Sequence, residues 1–520
     1  MKTRANDNWI RCISVDLIPP SLKDNTADVD RVLKKAGNLL GAPKVTITLS
    51  LARKLPGILR ECDYSLRAVC YEWDGLWHLI WIGPGQGSPP PFYCLALDLG
   101  TSTLVLRAID LMAARVSKER SFRNPQIQIA SDILARIHYS TEDGGLMRLH
   151  QMLISELNHQ IGQMAKELGV ERESFVALAV AGNTTMAHFF LNLDPYWICR
   201  EPYIPVLNVP GLVHAHELSI SINSLAPVLV FPNVGSYFGG DLVAGILSSG
   251  MTQSQELSLL VDVGTNAEVV IGNSDWLMGC AGAAGPALEG GVAAMGMMAG
   301  PGAIDKIEID PKTLEIHYYT IQSQPPVGIC GSGFIDLVAH LYLTGMIDIR
   351  GKFVPSRCGK RLVHIDQIPH LLIVGPKESG SGKPITVSQP DIDSLIRSKA
   401  AMFTILTTLI RTVGVTFQDI NRFYIAGTFG SYINPRSAIT IGMLPDLPLE
   451  IYHVLGNTSL EGATMALISK EARDRAYEVR GKTTYLELNV NQEFMNLFSA
   501  AKFIPHTDHS LFPSVPAPNF

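Results

Sequence analysis

"LALDLGTSTLVLRAIDL" (95–111) sets an apolar strand against one carboxylate, a glycine and a run of hydroxyls. Leu95, Leu97 and Leu99 alternate as in a buried strand, which leaves Asp98 at the strand's end beside Gly100-Thr101-Ser102. A carboxylate in that position is costly unless it is hydrogen-bonded or faces a cation. Gly100 lets a ligand approach the backbone, and Thr101 and Ser102 add N–H and hydroxyl donors. Such donors beside a carboxylate suit a phosphate chain with its magnesium, the carboxylate holding the metal's waters. About 160 residues later, "LLVDVGTNAEVVI" (259–271) repeats the arrangement with Asp262, Gly264, Thr265 and Asn266. One such turn arises readily for structural reasons alone. Two copies, each ending an apolar strand and leading into another, predict a pair of turns that clamp one triphosphate across a cleft.

Outward from these turns the chain alternates strand and helix. "GLMRLHQMLISELNHQIGQMAKELGV" (145–170) has apolar residues at helical spacing and a closing Gly169, and "FVALAVAG" (175–182) reads as a short buried strand. A second cycle runs from "PVLVFPNVG" (227–235) through the second turn to the helix 391–414 and the strand "NRFYIAGTFG" (421–430). The alternation predicts an α/β architecture of two similarly built lobes. "GPGQGSPPP" (83–91) is the clearest linker, being all punctuation and no periodicity. The expected organisation is a lead over 1–30, a small α/β domain over 31–88 and a two-lobed domain over 92–520. Its first lobe spans about 92–225 plus a C-terminal segment, and its second about 226–450.

With 520 residues, 47% apolar and 17% charged, the chain is long enough for a large buried core. A net charge of −6 without a basic block argues against nucleic acid as a partner. "MKTRANDNWIRCISVDL" (1–17) lacks the apolar centre of a signal peptide, and the small-residue window 281–300 carries Glu289 and Pro286, so no membrane span is expected. The protein is expected in the cytoplasm. Cysteines 12, 62, 70, 94, 199, 280, 330 and 358 are scattered, which excludes a zinc ribbon or a local iron–sulfur motif.

The paired turns resemble the phosphate motifs of the actin, sugar kinase and Hsp70 superfamily. "FYIAGTFGSYINPRSAITIGMLP" (423–445) resembles its adenosine motif, and "PNVGSYFGGDLVAGIL" (232–247) its connecting helix. "GNTTMAHFFLNLDP" (182–195), "NPQIQIASDILARIHYS" (124–140), "AGPALEGG" (284–291) and "GICGSGFIDLVAHL" (328–341) narrow the resemblance to the reductive activators of corrinoid proteins. So do "PPSLKDNTADVDRVL" (19–33) and "EFMNLFSAAKFIPHTD" (493–508). The resemblance implies a two-lobed ribonuclease-H-like nucleotide domain, ATP with magnesium, and a corrinoid protein returned from Co(II) to Co(I).

On that resemblance Asp98 and Asp262 organise the metal; Asp241, after Gly239-Gly240, either positions the attacking water or the metal or caps a helix. Phosphate falls to Gly100, Thr101, Ser102, Gly264, Thr265 and Asn266, and the nucleoside to Gly427, Gly430 and Lys399. Family members carry their electron on an N-terminal iron–sulfur module. This chain resembles the region of those proteins C-terminal to the module, so the expected carrier is a separate ferredoxin-type donor, unless the chain is a truncated or degenerate member or has lost the reductive role. Relatives suggest a homodimer. Thr428 stands where the family's adenosine motif has a second glycine. Two other readings stay open: a small-molecule kinase of the same superfamily, with Asp132 or Asp194 as its base, and a non-catalytic regulator of a corrinoid protein. "GPKESGSGKP" (375–384) misses the P-loop spacing, and "HAHE" (214–217) misses that of a zinc helix.

Overall fold

The computed structural model describes residues 8–85, 87, 90–264, 267–282, 295–427, 433–488 and 492–516, with the backbone alone over 492–494. The chain divides into two units, one of residues 1–248 with 459–481, the other of 249–458 with 482–520.

The first unit opens with a four-stranded sheet. Its strands are β1 (Ile10–Asp16), β2 (Val45–Ile47), β3 (Ser65–Trp73) and β4 (Leu76–Pro84), in the order β1-β3-β4-β2. The stretch expected as a lead over 1–30 therefore supplies a strand, with Ile10 opposite Tyr71 and Asp16 opposite Ser65. Only Ile10 and Val15 of β1 are buried, too sparse a pattern to announce a strand. β3 and β4 form the hairpin expected at Asp74-Gly75, whose positive φ angles of 50° and 78° match the twist of the flanking strands.

Helices Asp28–Leu40 and Leu49–Glu61 give Val32, Leu55 and Leu59 to the core of this small sheet. Residues far along the chain fasten it: Trp9 Nε1 donates to Ala466 O at 2.7 Å. Arg473 lies 5.0 Å from the Trp9 ring and 5.3 Å from the Trp73 ring, donating to Glu72 O at 2.7 Å and Glu72 Oε2 at 3.1 Å.

The second sheet of this unit holds β5 (Tyr93–Leu99), β6 (Thr103–Asp110), β7 (Arg115–Arg123), β8 (Phe175–Gly182), β9 (Val213–His214) and β10 (Pro227–Val230). Its order is β7-β6-β5-β8-β10-β9; β5 to β7 meander antiparallel, and β8 and β10 continue parallel to β5. The helix Gly145–Leu168 packs Leu149, Leu153, Leu157 and Ile161 into the core at one helical stripe and closes on Gly169 at φ 68°.

The other unit repeats the plan. β11 (Ser258–Val263), β12 (Ala267–Gly272) and β13 (Leu277–Gly282) meander antiparallel, and the strands Arg422–Ala426 and Tyr452–Gly456 extend the sheet parallel to β11. The helix Gln389–Val413 starts in a capping box between Ser388 and Asp391 and contributes Leu395, Met402, Leu406 and Leu409 to the core. This is the expected α/β class, with a ribonuclease-H-like sheet in each unit. "GPKESGSGKP" is the connection between the strands Ile368–Val374 and Ile385–Ser388. Among the described residues no helix is long and apolar enough to cross a membrane.

Candidate functional site

Register shows how closely the two acidic turns correspond. Asp98 of β5 lies opposite Val105 of β6 and, on its parallel side, Ala181 of β8. Asp262 of β11 lies opposite Glu268 of β12 and, on its parallel side, Ala426. A glycine follows each alanine, and each is there for the same reason. A Cβ at Gly182 would stand 2.9 Å from Leu99 O, and one at Gly427 2.6 Å from Val263 O and 2.7 Å from Asp262 Oδ1. Gly427 also has φ 91°, a conformation that side chains resist. The duplication thus includes the strand beside each carboxylate. Glu268 breaks the symmetry by setting a second carboxylate directly across from Asp262 in register.

In the first unit Ser459 Oγ donates to Asp98 Oδ1 at 2.9 Å. Gly100, Thr101 and Ser102 make the turn between β5 and β6, and a Cβ on Gly100 would fall 2.3 Å from Thr103 O. Asn183 caps the helix Thr184–Leu191 through Met186 N–H, and its Nδ2 donates to Thr101 Oγ1 at 3.0 Å. Asp241 stands in the first turn of the helix Gly240–Ser249 and accepts Leu242 N–H at 2.9 Å. Burial pushes its carboxyl up to about 6, and the charge of Asp98 adds to that. A Cβ on Gly239 would lie 2.4 Å from Asn183 Cα and 2.6 Å from Asp241 Oδ1. Asp98, Thr101, Asn183, Gly239 and Asp241 therefore converge, packed so closely that only a bare backbone fits at Gly239.

The residues of this unit fit a phosphate with a hydrated cation: carboxylates for the metal's waters, and hydroxyls with glycine backbone for the oxygens. In the other unit Asp262, Gly264 and Gly427 belong to the corresponding turn, while Thr265, Asn266, Thr428 and Gly430 lie outside the described residues.

Lys399 requires a correction. It is 1% exposed inside the helix Gln389–Val413, and its ammonium donates to the carbonyls of Phe503 and Pro505, the latter at 2.7 Å. Burial pulls its pKa well down. Its charge thus serves to fasten the C-terminal segment, and we assign it no nucleoside contact.

Other polar candidates are taken up locally. Asp132 caps the helix Ile133–Ser140 through Ala135 N–H, and Asp194 accepts Tyr196 N–H. In "HAHE", His214 meets the Tyr71 hydroxyl at 3.0 Å and Glu217 at 3.2 Å. Burial pushes the Cys94 and Cys280 thiols up to about 12, which keeps both neutral near pH 7. Among the described residues no cluster of three or more His, Cys, Asp or Glu side chains could hold a metal ion.

Sequence inspection missed Ser459, Asn183 and Glu268. Asn183 lies in a stretch that carried the family resemblance, and Glu268 was legible as the only charge in "AEVVIG". Ser459 had no local signal.

Comparison with known proteins agrees along the chain. A family model described as the C-terminal domain of RACo, the ASKHA domain, matches residues 256–516. The RACo middle region matches 93–254, and the RACo linker region 4–88. The corrinoid activation enzyme RamQ of Eubacterium limosum is 30% identical over 480 residues, covering 88% of this chain and 80% of that protein. The Co(II) methylated amine-specific corrinoid protein reductase of Methanosarcina barkeri is 26% identical over 441 residues, 78% of this chain and 76% of its own. A solved reductive activator for corrinoid, iron-sulfur protein superposes with a TM-score of 0.92 at 39% identity, covering 98% of this chain and 81% of that one.

Proposed function

The chain belongs to the RACo family, and on that premise we propose that it couples ATP to the reductive activation of a corrinoid protein, returning its cobalt from Co(II) to Co(I). The corrinoid is the partner's and enters as substrate, and the electron comes from a separate iron–sulfur donor. The observation that carries the nucleotide part is the duplicated acidic turn, with a carboxylate at the strand end and a glycine on the parallel neighbour in both units.

Asp98 and Asp262 would hold the water shell of magnesium, which would neutralise phosphate charge. Gly100, Thr101 and Ser102 take phosphate oxygens in one unit, and Gly264, Thr265 and Asn266 do so in the other. The nucleoside is assigned to Gly427 and Gly430. Asp241, with a proton affinity near neutral, orients the attacking water and holds its proton.

The test uses a Co(II) corrinoid protein, a ferredoxin-type donor and this chain, with Co(I) followed by its absorbance. Co(I) should accumulate only with Mg-ATP, and Asp98→Ala and Asp262→Ala should each abolish it. Equal reduction without nucleotide would overturn the proposal.

A further inference from the structure

Two carbonyls of the first phosphate turn are held from behind by buried side chains. Asn124 Nδ2 donates to Gly100 O at 3.0 Å, and Arg136 Nη1 to Thr101 O at 2.8 Å. Both residues are buried, Asn124 at 1% exposure and Arg136 at 0%. In a planar trans peptide the C=O and the N–H of the next residue point in opposite directions. Fixing these two carbonyls inward therefore turns the N–H groups of Thr101 and Ser102 outward. Among the described residues neither of those N–H groups has a protein acceptor.

Arg136 is also an unusual charge. It donates to Ala130 O at 2.8 Å and lies within 3.4 Å of Ser131 O and Gln126 Oε1. Among the described residues every acceptor it reaches is neutral. Burial pulls it down only to about 10, so it stays cationic near pH 7. The Asp132 carboxylate acts on the guanidinium only through its charge, without a hydrogen bond; a buried cation so placed costs stability that neutral hydrogen bonds only partly offset, and its field favours further negative charge nearby.

We propose that Arg136, with Asn124, is the positioning residue of the first phosphate turn: it orients the Thr101 and Ser102 amides toward a bound polyphosphate and supplies the positive potential behind them. This deepens the nucleotide reading above and rests on it. The guanidinium touches the turn and not the phosphate, so its contribution falls on the phosphate part of affinity.

The experiment compares Mg-ADP with adenosine by calorimetry on wild type, Arg136→Gln and Arg136→Lys. Losing a charged hydrogen bond and its field should weaken Mg-ADP binding about ten- to hundredfold in the Gln variant. Adenosine binding should not change, and Lys should restore part of the loss. A general loss of structure would weaken both ligands together. On wild type alone, hydrogen exchange at Thr101 and Ser102 should slow when Mg-ADP is added, a readout that survives if the variants fail to fold.

A folded Gln variant with wild-type Mg-ADP affinity, or unchanged exchange at both amides in a protein that binds Mg-ADP, would overturn this role and leave the nucleotide reading standing. Wild type that binds no Mg-ADP would overturn both.

Discussion

Asp336 gives the sharpest quantitative test of the second unit. It lies in the helix Gly331–Leu343 at 4% exposure, and its Oδ1 finds no hydrogen-bond partner. Burial raises its pKa from 3.8 to about 6, more than the Ser437 hydroxyl and the Ile307 amide lower it. The fold therefore prefers the protonated acid. The carboxyl costs nothing below pH 3.8, and a penalty grows as pH rises toward 6 and is constant above it. At 1.36 kcal/mol per pH unit that gap amounts to about 3 kcal/mol.

Asp336→Asn keeps the shape and cannot ionise. Whatever its amide gains or loses in hydrogen bonding is the same at every pH, so only the pH dependence of the difference matters. Relative to wild type, the variant should gain about 2.4 kcal/mol between pH 4 and pH 7. Both proteins would be equilibrated in urea at each pH, then pulse-labelled by hydrogen exchange at one common pH, reading the helix Gly331–Leu343. A difference in stability that stays flat from pH 4 to pH 7 would refute the argument, whatever its absolute size.

Three further outcomes are expected. Arg473→Met should destabilise the small sheet by about 3 kcal/mol, the low end for a broken buried pair, because Lys470 and Gly75 still reach the Glu72 carboxylate. Faster exchange in β3 would show it, and adding Glu72→Gln should recover part of the loss. Asp241→Asn should retain Mg-ATP binding by calorimetry yet lose at least a hundredfold in single-turnover hydrolysis, since the variant keeps the shape and loses the base proposed above. Gly427→Ala should cost about 1–2 kcal/mol of backbone strain and lower nucleotide affinity by tenfold or more, because the methyl would press on Val263 O and Asp262 Oδ1. A thermal melt and a titration on the same sample separate those two effects.

What could be read from the chain alone was local. The alternation of Leu95, Leu97 and Leu99 and its echo at β11 declare strands that end in carboxylates, since a strand's face is written every second residue. The partners of those carboxylates are not written nearby. Ser459 reaches Asp98 across 361 residues, and Asn183 reaches Thr101 across 82, distances over which no periodicity carries information. Arg136 and Asn124 were in plain view inside a stretch valued for its family likeness, but nothing local says that a guanidinium in an amphipathic helix bonds a turn 35 residues back. Lys399 misled for the opposite reason. A lone cation on an apolar helix invites a ligand, and the carbonyls that satisfy it lie more than 100 residues downstream. β1 was lost because only two of its residues are buried.

The first unit is completed by residues 459–481, so its last piece leaves the ribosome about 230 residues after Ser248. At ordinary translation speeds that is a wait on the order of ten to fifty seconds. During it Trp9 lacks the Ala466 carbonyl, Glu72 lacks Arg473 and Asp98 lacks Ser459. A gene cut once between the units would release a first half permanently caught in that state, so the halves can be expressed apart only if the 459–481 segment is moved to join residue 248.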